Sequence, residues 1–148
     1  MHPTVTEQLN GLRRILADAV APEVSAPYPT EILGSVMGAL SALQANWHAI
    51  PGFLRWDIET TSEVLDAAKP LLDAGLVAEI TAAQADGDLT DLARVEPQQV
   101  RMRGLLVKAM PAIRAEHGAA YVKMIALFRE RTERFPFAMA IRPSAKKA

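Results

Sequence analysis

Apolar positions recur along this chain at steps of three and four, the period of helices that bury one face. No stretch alternates apolar and polar residues as a half-buried strand does, and no long segment repeats. The first stripe is Val5, Leu9, Leu12, Leu16 and Ala19. Thr4 opens it, and Glu7 three residues on completes a capping box, in which each side chain accepts from the other's backbone N–H. Pro22 ends it, and Pro22, Pro27 and Pro29 predict a non-helical connection.

A second helix is expected from Pro29 to about His48, and residues 32–47 carry no charge. Ile32, Val36, Leu40, Leu43 and Trp47 fall on one face, with Gly34, Gly38, Ser41 and Ala45 opposite. A helix without a charged face predicts burial on most sides. Its two glycines cost about 1 kcal/mol each against Ala, so they predict another helix packed close on the small-residue ridge. This helix is the expected spine of the fold.

Pro51-Gly52 is expected to break the chain before a third helix, from about Phe53 into the Pro70 region. Leu54, Ile58, Thr61, Leu65, Ala68 and Leu72 turn inward there, with Arg55, Glu59, Glu63 and Asp66 outward. A short helix over 76–85 follows, closed by Asp86-Gly87-Asp88, with one more turn at 90–94. Pro97 opens the next helix, with Met102, Leu106, Met110 and Ile113 inside, a bend at Pro111 and Gly118 just past its end. A last helix covers 119–135, aligning Tyr121, Met124, Ile125, Phe128 and Phe135, and Pro136 stops it. The expected architecture is all-α: a single-domain bundle of five main helices plus one or two short ones over residues 1–141. A basic flexible tail follows over 142–148.

Composition narrows the class. The 148 residues contain no cysteine and are half hydrophobic, which excludes a disordered chain, a disulfide scaffold and any thiolate metal or redox site. Met1-His2-Pro3-Thr4 lacks the order of a secretory leader, and no apolar run is long enough to span a membrane. The expectation is a cytoplasmic protein with no membrane span. The net charge of −1 hides two blocks: residues 1–96 carry −9 and residues 97–148 carry +8. The basic block alone would suit nucleic acid, but an equally acidic block in the same chain disfavours that partner. It fits complementarity within or between chains, or a small anionic ligand.

The densest chemistry lies between Asn46 and Asp57. Trp47 projects onto its helix's core stripe, whereas Trp56 lies roughly 160° from Ile58, beside Glu59 and Glu63. A tryptophan on a face that should meet water predicts contact with a partner or ligand, or cover from the preceding loop. Asp57 projects to the rim, where it could pair with Arg55 or His48. A pocket at the junction of the second and third helices would use His48 as general base and Asp57 as its orienting partner or as an acid. Met102, Met110 and Met124 would wall it. His117, in a last helical turn, suits the negative helix end. Glu116 and His117 are adjacent and so poorly placed for one ion, and Glu-x-x-His pairs are absent. The expectation is no metal and no cofactor.

From Pro3 to about Leu43, the order Pro-Thr, Leu9, Leu12-Arg13, Leu16, Val20, Pro22 and an Ala/Leu-rich second helix resembles the start of a small all-helical bacterial family. That family has no assigned activity and is found beside acyl-CoA dehydrogenase and aminoglycoside-phosphotransferase-like proteins. It carries a central Asn where this chain has Gly38-Ala39. The resemblance implies an accessory role in acyl-CoA-type metabolism, and a small anionic ligand such as an acyl-CoA is one candidate partner. The sequence expectation is a helical association protein, either a homo-oligomer or an accessory subunit of a metabolic enzyme. The alternative is a small enzyme or binding module using His48 and Asp57, with Trp47, Trp56, Arg55, Met110 and His117 as contact residues.

Overall fold

The computed structural model describes residues 2–86 and 89–137. Its described residues form six α-helices and no strand. They are α1 (Val5–Ile15), α2 (Pro27–Asn46), α3 (Ile50–Ala68), α4 (Ala74–Ala85), α5 (Leu92–Glu116) and α6 (Ala119–Arg134). The fold is all-α as predicted, with α4 as the short helix. By contacts the described residues gather into two compact units, residues 2–48 and residues 49–137. The tail expected at 142–148 lies outside the described residues. No described helix is long and apolar enough to cross a membrane.

Helix ends follow local chemistry. The Thr4 hydroxyl accepts from the Glu7 N–H at 3.2 Å, and Glu7 accepts from the Thr4 N–H at 2.7 Å. The bond from the Thr4 backbone holds the Glu7 carboxyl below its ordinary range. Beyond Ile15 the chain widens into a π-helical turn (Leu16–Val20), then tightens into a 3-10 turn (Ala21–Glu23).

Prolines start helices here more than they stop them. Pro27 and Pro29 sit in the first turn of α2 and Pro51 in the first turn of α3, where no N–H is needed. Both helices therefore begin earlier than expected. α5 begins at Leu92, capped by Asp91, and so absorbs the turn expected at 90–94. Pro97 and Pro111 lie inside it on exposed positions, where the carbonyls they leave unbonded meet water. His117, at φ 52°, takes the left-handed terminal position expected of Gly118.

The second unit holds the core. α3 buries Leu54, Ile58, Thr61, Leu65 and Ala68, as its stripe predicts. α5 adds Val95, Met102, Leu105, Leu106, Ala109 and Ile113, and α6 adds Ala120, Met124 and Leu127. Ile80 and Ala83 bring α4 against them. Ile125 and Phe135, expected inside, are exposed.

The first unit overturns the expected spine. α1 and α2 pack antiparallel: Trp47 donates to Thr6 at 3.3 Å, while Gln44 bonds Asn10 at 2.9 Å and Arg13 at 2.7 Å. Leu33, Met37, Leu40, Gln44 and Trp47 form the half-buried seam toward α1. α2 buries no residue fully, and a Cβ at Gly34 or Gly38 would meet nothing within 4 Å. Among the described residues α1 is the helix packed most against α2, and Ile32, Ser35, Val36 and Ala39, off that contact stripe, face outward.

Leu106→Ala should lower unfolding free energy by about 2–5 kcal/mol in urea titration. Val122→Ala, at an exposed position, should change it by no more than about 0.5 kcal/mol. The depressed Glu7 carboxyl contributes to capping above its ordinary range and loses that contribution as pH falls through its lowered value. Acidification should therefore shift the Thr4 and Glu7 amide NMR signals, and Glu7→Gln should abolish that shift.

Candidate functional site

Asp57 is the most constrained polar group in the second unit. Its side chain has 0 % exposure, although the sequence places it at a rim. Oδ1 accepts from the Arg131 Nε–H at 2.6 Å. Oδ2 accepts from Gln99 at 2.5 Å and from the Arg103 Nε–H at 3.0 Å. Arg131 also donates to the Thr61 hydroxyl at 3.1 Å. One carboxylate thus ties α3 to both α5 and α6. Arg131 is itself largely enclosed, while Arg103 reaches solvent.

With both oxygens engaged and no solvent access, Asp57 acts as a cross-link rather than as an exposed acid or base. Its partners are not the expected Arg55 or His48. Arg55 donates instead to the Leu89 carbonyl at 2.7 Å, tying α3 to the segment before α5. His48 belongs to the first unit, exposed in a short turn with its ring edge-on to Trp47.

Trp56 is covered by its own unit, not by the loop before α3. The Arg134 guanidinium lies 4.7 Å from its ring centre and Phe53 packs at 5.8 Å. Phe135 meets the other side of that cluster, 5.7 Å from Phe53. His117 stacks on Tyr121 at 5.0 Å. Met102 and Met124 are core residues, and half-buried Met110 lines an open surface depression with Val107, Pro111 and Arg114. Among the described residues no three His, Asp or Glu side chains gather as a metal site.

The charge blocks meet inside this unit. Glu79 pairs with Lys108, Asp86 with Arg101, and Asp57 with Arg103 and Arg131, each joining an acidic residue of the first block to a basic one of the second.

The first unit presents a different kind of surface. On α1, Val5, Gln8, Leu12 and Ile15 recur at steps of three, four and three, and all are exposed. The π-helical turn, with its extra residue, carries exposed Val20 toward the same seam. On α2, Tyr28, Ile32, Ser35 and Ala39 recur at four, three and four with Val36 beside them, again all exposed. Each seam is turned about 130° in the same sense from its helix's contact line. Because the helices are antiparallel, the two seams lie on one side of the hairpin. Tyr28 is 72 % exposed and Ile15 59 %. Neither seam carries a charge. A separate groove of about 590 Å³ is lined by charges of both signs, including Glu7, Arg13, Arg14 and Asp18.

No protein-family model, curated protein or solved structure matches the chain.

Asp57→Ala should leave Arg131 enclosed without its counter-charge and cost about 3–5 kcal/mol in denaturant unfolding. Arg103→Ala should cost less, because that guanidinium is partly hydrated. Equal losses would show that burial does not set the strength of this cross-link.

Proposed function

We propose that this chain is a helical association protein whose docking surface is the apolar side of the α1–α2 hairpin. It works as a homo-oligomer or as an accessory subunit of a metabolic enzyme. The observation that carries this reading is the pair of exposed, charge-free seams side by side on one hairpin. Three-four spacing is the geometry by which helices interdigitate with other helices. Contiguous exposed apolar surface of this kind marks a protein–protein contact. Leu9 is the one fully buried side chain among the described residues of the first unit, so a partner would complete its packing.

The catalytic alternative finds no comparable support: Asp57 is buried with both oxygens already accepting hydrogen bonds from Gln99, Arg103 and Arg131.

An environment-sensitive apolar dye tests whether the face is open in a single chain. Dilute protein should bind the dye, and Ile32→Glu with Val36→Glu should remove that binding while leaving unfolding of the second unit unchanged. Absence of dye binding at every dilution would show the face covered within one chain and would contradict the proposal.

A further inference from the structure

We infer that the occupant of this face is a second copy of the chain, packed hairpin on hairpin as a four-helix bundle, an inference that rests on the association reading above. Charge supplies the first argument. The two seams hold apolar, small or amide side chains and no ionised group. A partner bearing charges there would have to strip them of water without return. The surface that complements a charge-free three-four face is another such face, and each copy of this chain carries one.

Size supplies the second. α2 has 20 residues, about 30 Å at 1.5 Å per residue. Two helices 8–10 Å apart give a face roughly 30 by 20 Å. That footprint, roughly 600 Å² per partner, lies at the lower edge of the standard interface range, which centres on roughly 800 Å² per partner. One hairpin supplies half of an antiparallel four-helix bundle, and a two-fold operation supplies the rest.

The residues also fix the pairing. Asn10 and Arg13 lie level with Gln44, and Thr6 with Trp47. Continuing that register places Ile15 level with Ala39 and Val20 level with Val36. A two-fold axis parallel to the helices then lays α1 of one copy on α2 of the other. The large α1 residue Ile15 meets the small α2 position Ala39 of the second copy, and Val20 meets the second copy's Val36.

The cysteine-free sequence makes the test clean, because an engineered thiol has no competitor. Full-length Ile15→Cys and Ala39→Cys chains are prepared separately, mixed under mild oxidation and analysed for covalent two-chain product. Val20→Cys with Val36→Cys forms a second pair, also at exposed positions, and sedimentation of the parent chain runs alongside. Each mixture should yield several-fold more two-chain product than either component alone, and the parent should sediment as a dimer. A parent that stays monomeric while its hairpin still binds dye would overturn the second copy as occupant and leave the association reading standing. A dimer whose mixtures do not cross-link above their components would overturn the hairpin-on-hairpin arrangement.

Discussion

The second unit depends on how one buried carboxylate is satisfied. Removing Asp57 from water is expensive, and the cost is offset only because three donors converge on its two oxygens. Those donors come from α5 and α6, so both helices must keep one rotation and one axial position relative to α3. Apolar packing of Leu65, Met102, Leu106 and Leu127 supplies the larger driving force but tolerates sliding. The carboxylate does not. Asp57 therefore specifies the arrangement that the apolar residues stabilise, and the Lys108–Glu79 pair sets the position of α4 against α5 more loosely, in solvent.

The first unit reverses that balance. Its specification is complete while its burial is not. Thr6–Trp47 and Asn10–Gln44–Arg13 form a polar ladder that fixes how α1 and α2 align. Polar groups at such seam positions choose register at some expense of stability. Among the described residues of this unit Leu9 alone is fully buried, and Val5, Leu12, Ile15, Val20, Tyr28, Ile32 and Val36 are left exposed. The proposed association draws on that surplus apolar surface of a register-fixed hairpin, in the unit with the poorer core.

Much of this was legible in the sequence because stripes on well-packed helices obey simple periodicity. The inner positions of α3, the centre of α5 and the capping box at Thr4 needed only spacing. Spacing misleads where one residue type serves two physical roles. Pro27 and Pro51 have the look of helix breakers and Pro97 of an opener, although a first turn accepts Pro freely and an exposed interior position tolerates it. The missing charge of α2 predicts burial, yet α2 buries no residue fully.

Asp57 was placed at a rim because the partners that allow its burial lie 42 to 74 residues away. One signal did exist: Arg131 follows Met124 and Leu127 at helical steps, a cation on the buried stripe of α6 that demands an anion inside. Thr61, four residues after Asp57 on the inner stripe, was the second.

Concentration-dependent hydrogen exchange measures the division of labour between the two units most directly. With the hairpin as the docking surface, amides of α1 and α2 gain protection as the protein is concentrated, while those of α3 and α5 hold constant protection throughout. Protection of α1 and α2 that is the same at every concentration, and as high as that of α3, would contradict the claim that the hairpin is completed by a second chain.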